Sequence, residues 1–400
     1  MLHQDFLFFD FNQKSSILLI FVFHTLLFSF MLLRKGIVED QRVNIFFGFF
    51  ILLCGLYVCP FMLGYAGWYG MDGYREFLFF VPFQQLFLIG PVLYFYTRSL
   101  LNQSLKISYC DLVHFIPSAL YLLYSCVIFI FDVFIFEDFY FYADGRDKDL
   151  DLWYQIAGSI SMLFYLGLCL RKYRNYRDYI EQEVSYAEEV LYSWIRNFLL
   201  AFALILVLRL MFFAINPEWA QFGRKYWYYL SFSAIGMYLT IAGYSNSLKL
   251  KIGMSPSLPQ NIDQNKTSYK IGGKNTIDTI ENLEHWKEQI EKLMEIDRIH
   301  TNPQLTLNDL ALRLDTNRNS VSAVINDGFN MNFNDYINSK RIESVIKSFK
   351  NNQHLEKTLL GIALESGFNS KSTFNRSFKK YTSLTPKRYI EKNIGENGVK

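Results

Sequence analysis

Six cations lie close together near the C-terminal end of the sequence: Lys371, Arg376, Lys379, Lys380, Lys387 and Arg388. A basic excess is most often a solvated face. Here it is concentrated, because Arg313 to Lys392 holds 14 basic and 7 acidic side chains, a net of +7. That is the footprint of a surface that binds phosphates. An arginine in such a surface can also pair bidentately with a guanine edge. A second polar group has the opposite setting. His24, Gln84, Gln85, Asp132 and Arg209 are embedded in long apolar stretches, where polar side chains are expensive and mark either a ligand pocket or partners on neighbouring helices. Catalysis has no comparable support. Phosphate-binding Gly-rich loops, HExxH and Gly-x-Ser-x-Gly are absent, and the six histidines are scattered. The five cysteines form neither a Cys-x-x-Cys pair nor a metal-ligand spacing. No metal, cofactor or enzymatic activity is expected.

The cations belong to a repeat. LTLNDLALRLDTNRNSVSAVI (305–325) and KTLLGIALESGFNSKSTFNRSF (357–378) share one plan, offset by about fifty-two residues. Each begins with a short helix bearing an inward Ala (Ala311, Ala363), small enough for a tight helix crossing. A turn follows, then a second helix capped by Asn317 in one copy and by Asn369 or Ser370 in the other. Val321, Val324 and Ile325 make the buried face of one second helix, and Phe374 and Phe378 that of the other. This is the helix-turn-helix plan, whose second helix enters a DNA major groove. The caps set the helical phase. They expose Asn319, Ser322, Ala323 and Asn326 in the first copy, and Lys371, Ser372, Asn375, Arg376 and Lys379 in the second. Lys379, Lys380, Lys387 and Arg388 are assigned to phosphates. A longer helix over about 333–350 joins the copies. Ahead of them, Leu283, Trp286, Ile290 and Leu293 form one apolar stripe, which either packs onto the next domain or makes a short dimerising coil.

The rest of the chain is of another kind. Residues 1–251 carry 19 basic and 20 acidic side chains and 33 of the 39 Phe, whereas 252–400 carry 21 basic and 17 acidic ones. Seven stretches reach the length a membrane crossing needs: 15–33, 43–63, 77–97, 111–136, 152–171, 195–215 and 226–248. The first has no basic leader or small-residue cleavage site and reads as retained rather than as a signal peptide. With the N-terminus outside, twelve basic residues fall on inner segments and six on outer ones, and seven spans then leave the C-terminal half in the cytoplasm. In that orientation Asp132 and Arg209 fall at similar depths below the outer face. They are expected to pair, either as the floor of an outward-open signal pocket with His24, Gln84 and Gln85 or as a structural ion pair. The segment 252–280 has too few large apolar residues to fold alone and reads as a flexible cytoplasmic linker.

GIALESGFNSKSTFNRSFKKYTSLTPKRY (361–389) resembles the C-terminal signature of AraC-type transcription regulators. Ile362–Ala363, Gly367–Phe368, Phe374, Arg376, Phe378–Lys379–Lys380, and Thr385–Pro386 with Tyr389 stand where that signature has them, and NPQLTLNDLA (302–311) resembles the entry to its first unit. Ser383 replaces a usual Gly, Ile390 a usual Arg, and Ala323 a frequently long polar residue. The resemblance implies base-reading positions at Asn319, Ser322, Ala323, Ser372 and Arg376. It also implies double-stranded DNA as partner, leaving RNA polymerase and a second copy of the chain as further ones. The whole sequence is similar to membrane-embedded variants of that family. The expectation is therefore an all-α protein with a seven-span sensor domain (1–251) in the bilayer of a bacterial cytoplasmic membrane, the linker (252–280), and a double helix-turn-helix domain (281–400). It would sense an unknown signal ligand and bind operator DNA. The alternative is a transporter or receptor with an appended DNA-binding domain.

Overall fold

The computed structural model describes residues 11–102, 107–136, 140–143, 147–191, 193–215, 225–249 and 283–394. The linker 252–280 lies outside the described residues. Among these residues the structure is helical, with one isolated antiparallel bridge, Val184–Thr306, and no strand. The chain forms two compact units: Met1–Tyr173 with Ser193–Gln260, and Arg174–Tyr192 with Asn261–Lys400.

The first unit is the apolar one. Five helical stretches are long and apolar enough to cross a membrane: α1 (Gln13–Val38), α2 (Arg42–Tyr65), Tyr109–Ile135, α6 (Leu152–Glu183) and α8 (Ser193–Ile215). The other two expected spans take different forms. Stretch 77–97 is broken into α3 (Asp72–Phe80) and α4 (Leu86–Leu101). Pro82 explains the break, since a proline disfavours helical backbone in the residue before it, and Val81 is extended at φ −87°, ψ 110°. The last stretch is the continuous α9 (Tyr226–Lys249), rich in Tyr and Ser. Tyr109–Ile135 has α5 (Ile116–Ile130) at its centre and ends in a π-helical turn, Phe131–Ile135. Aromatic side chains fill the interior, with Phe47, Phe50, Phe61, Tyr57 and Phe198 buried. Phe23, Phe30, Phe164 and Leu200 face outward and are each at least 60% exposed.

The second unit is built on a long helix, α13 (Phe333–Lys350). Its first half, through Phe333, Tyr336 and Ile337, shares a core with α10 (Leu283–Glu295), α11 (Leu307–Arg313) and α12 (Arg318–Ala323). Its second half, through Ile342, Val345 and Phe349, shares another with α14 (Leu359–Glu365), α15 (Lys371–Thr382) and α16 (Pro386–Asn393). The stripe of α10 therefore packs onto the first helix-turn-helix unit, with Ile290 and Met294 buried. Ala311 and Ala363 are buried at the expected crossings. In the second turn Gly367 has φ +97°, and a Cβ there would lie 2.9 Å from Thr301 Cα. The unit is completed by the end of α6 and by α7 (Ala187–Val190).

Candidate nucleic-acid interface

Local hydrogen bonds set the phase of both second helices. Asn317 accepts the Ser320 amide at 2.8 Å and starts α12. Ser370, of the two candidates, accepts the Thr373 amide at 3.2 Å and starts α15. The preceding helices are capped by Thr306, in a reciprocal capping box with Asp309, and by Thr358. In α15, Phe374 and Phe378 turn inward, where Phe378 meets the Tyr389 ring at 5.4 Å. Lys371, Ser372, Asn375, Arg376, Lys379 and Lys380 are exposed on its other side. Lys387 and Arg388 are exposed on α16, next to its Thr385 cap. Lys380 is engaged with Asp335 at 2.6 Å.

The first helix-turn-helix copy presents less. Asn319 is exposed and Ala323 and Asn326 are half-buried, but Ser322 is only 3% exposed. At about 100° per residue, Ser322 falls about 60° from the buried Ile325, at the margin of the apolar arc. Its hydroxyl accepts the Asn326 amide at 3.3 Å. The expectation of an exposed Ser322 is corrected on that ground. After Ala323 the helix widens into a π-helical turn, Val324–Gly328.

Two features were missed in the sequence. Arg341, on the buried side of α13 and 1% exposed, donates to the carbonyls of His300 (2.8 Å), Asn302 (2.8 Å) and Ser185 (3.1 Å) and to the Ser185 hydroxyl (2.9 Å). Burial pushes it down to about 10, against the pull of Glu189. The other is the stretch it holds. Ser185 donates its amide to Leu305 O at 3.1 Å, and Asn334 donates to Val184 O at 3.2 Å. A buried Arg among 14 basic residues gives no signal of its own; only its place on the apolar side of α13 distinguishes it.

The polar residues of the apolar unit are only partly brought together. Arg209 is buried, with hydrogen bonds to Tyr57 OH, to Ser159 Oγ at 2.9 Å and to Gln155 Oε1 at 2.6 Å. Gln155 also donates to Gln84 Oε1 at 2.8 Å, and Gln84 donates its amide to Asp149 at 2.8 Å. Asp132 accepts the Phe141 amide at 3.2 Å instead. The expected Asp132–Arg209 pair does not form, because the π-helical turn and the chain after it supply Asp132 with a backbone donor. Gln85 donates to Pro82 O at 2.6 Å, and the His24 ring lies tilted against Phe28 with centroids 4.5 Å apart. The cavity beside Arg209 measures about 20 Å³, room for one water. Tyr57, Asp149 and Gln155 were not anticipated as members of this network.

Residues 310–392 match a family described as a helix-turn-helix domain. An HTH-type transcriptional regulator of Staphylococcus aureus (strain COL) is 26% identical over 102 residues, covering 26% of this chain and 13% of its own length. The melibiose operon regulatory protein of Escherichia coli (strain K12) is 32% identical over 85 residues, covering 21% of this chain and 27% of that one. The match thus spans little more than a quarter of these curated relatives at most. No solved structure matches the chain. Cap positions, inward alanines, the Thr385–Pro386 start of α16 and the family match agree, and the C-terminal part of the chain carries a helix-turn-helix domain of the AraC type.

Proposed function

We propose that the chain is a membrane-embedded transcription regulator: an apolar helical domain in the cytoplasmic membrane, N-terminus outside, responds to a stimulus, and the helix-turn-helix domain binds operator DNA in the cytoplasm. The observation that carries the reading is α15, whose cap turns Lys371, Ser372, Asn375, Arg376 and Lys379 together to solvent. Ser372 and Arg376 are assigned to base edges, with Lys371 and Asn375 beside them. Lys379, Lys380, Lys387 and Arg388 are assigned to phosphates. Asn319 and Ala323 read from the first helix-turn-helix copy. Five long apolar helices with outward-facing Phe and Leu support a lipid surround. The polar network around Arg209, Gln155 and Gln84 supports a packing role for those groups more than a ligand pocket.

Full-length protein in lipid nanodiscs, offered a pool of random duplexes, tests the reading. Enrichment of one sequence motif, lost in Arg376→Ala at a single base position, is the expected result. No enrichment above empty nanodiscs would overturn it.

A further inference from the structure

The DNA-reading face of the second unit has a ligand already on it, supplied by the chain itself. Between Asp178 and Glu189 the sequence places five acidic side chains (Asp178, Glu181, Glu183, Glu188, Glu189) and no basic one. Three of them reach the two helix-turn-helix units. Glu183 accepts Arg318, the first residue of α12, at 3.1 Å. Glu188 pairs with Arg376 on α15 and accepts the Thr373 hydroxyl at 3.0 Å. Glu189 accepts the Asn369 amide at 3.1 Å, just ahead of the Ser370 cap. Both second helices are thus engaged by carboxylates from one short segment.

The segment is seated by backbone as well as by charge. The Val184–Thr306 bridge, the Ser185 amide on Leu305 and the Arg341 clamp on Ser185 hold its centre. The carboxylates then lie against Arg376, assigned above to a base edge, and against Arg318 at the start of α12. Burial holds Glu189 above the usual carboxylate range.

We infer that the acidic segment Glu183–Glu189 is a built-in competitor of DNA: its carboxylates occupy Arg318 and Arg376, and operator binding requires their release. This rests on the DNA-binding reading proposed above. The competition is chemical. An arginine paired with a carboxylate cannot also present its bidentate donors to a guanine edge. A desolvated acid near the reading helix also repels the DNA backbone. The segment is continuous with α6 on one side and is followed by α8 on the other, both long and apolar. A displacement of either helix therefore bears directly on the segment, which gives a stimulus in the membrane a covalent route to the DNA face.

The test uses the full chain in nanodiscs and the motif enriched from the random pool. Glu183→Gln/Glu188→Gln keeps the shape and removes both charges. It is expected to bind the enriched duplex about tenfold or more tightly than the wild type. Adding Arg376→Ala is expected to remove the gain. Hydrogen exchange on the wild type supplies a second reading free of substitutions: saturating duplex should speed exchange across 183–191. Equal affinity of the double variant and the wild type, with unchanged protection of 183–191 on DNA, would overturn the competition and leave DNA binding standing. Failure of both proteins to enrich any duplex would instead overturn the DNA-binding reading, and the inference with it.

Discussion

Ser383 ends α15 in the left-handed region, at φ +62°, with its amide on Lys379 O. Left-handed backbone costs a residue with a Cβ about 1–2 kcal/mol, which glycine escapes while losing part of the gain to a more flexible unfolded chain. The left-handed backbone thus gives a physical reason for the Gly that the AraC-type signature has at this position. Ser383→Gly is expected to stabilise the helix-turn-helix domain by up to about 1 kcal/mol without changing DNA affinity; slower hydrogen exchange in α15 and α16 would register it, and a loss of protection would contradict it. Two neighbouring cations separate by role. Arg376→Ala should cost about 1–3 kcal/mol of specific binding and relax one base position, whereas Lys379→Ala should weaken all sequences alike and flatten the salt dependence by about one counterion. Binding-site selections at two salt concentrations distinguish the outcomes.

At the scale of elements, what was legible in the sequence was whatever local chemistry dictates. Asn317 caps because a side-chain oxygen must meet amides that have no helical partner. Ala311 and Ala363 mark crossings because only a small side chain fits. The choice between Asn369 and Ser370 was not legible, since it depends on Asn369 turning to Glu189 and Pro303 instead. The Asp132–Arg209 pair failed for a related reason: equal depth along two helices says nothing of which faces meet, and Arg209 meets Tyr57, Gln155 and Ser159. Arg341 was invisible for the same cause, as its partners come from residues 185, 300 and 302. It supplies donors to the buried carbonyls of Ser185 and His300 and to the partly buried one of Asn302, and a buried carbonyl is costly to leave unmet. Arg341→Leu is expected to destabilise the second unit by about 3–5 kcal/mol. Arg341→Lys, which keeps the charge but not the planar fork, should recover only part. Thermal unfolding followed by near-ultraviolet circular dichroism of the full chain, or exchange of α13 amides, measures both.

At the scale of the whole molecule, α13 decides how the second unit would read DNA. Its 18 residues span about 27 Å, and each half is part of a different hydrophobic core: Tyr336 and Ile337 in one, Ile342, Val345 and Phe349 in the other. The two helix-turn-helix units therefore share a rigid strut in place of a flexible tether. Two second helices held this way should enter successive major grooves on one face of the duplex, about 10 bp apart. Because α12 and α15 carry different side chains, with Asn319 and Ala323 on one and Ser372 and Arg376 on the other, the site should consist of two unlike submotifs with no palindrome. The strut makes the spacing itself a test. Inserting 5 bp turns one submotif about half a turn away, and inserting 10 bp restores the face but moves it about 34 Å along the axis. A flexible connection would recover binding at the longer insertion; a helix packed into both cores cannot follow. Both insertions should therefore reduce affinity to that of a single submotif, measured on full-length protein in nanodiscs. Recovery at 10 bp would show that the units read DNA independently, and that α13 does not set the spacing.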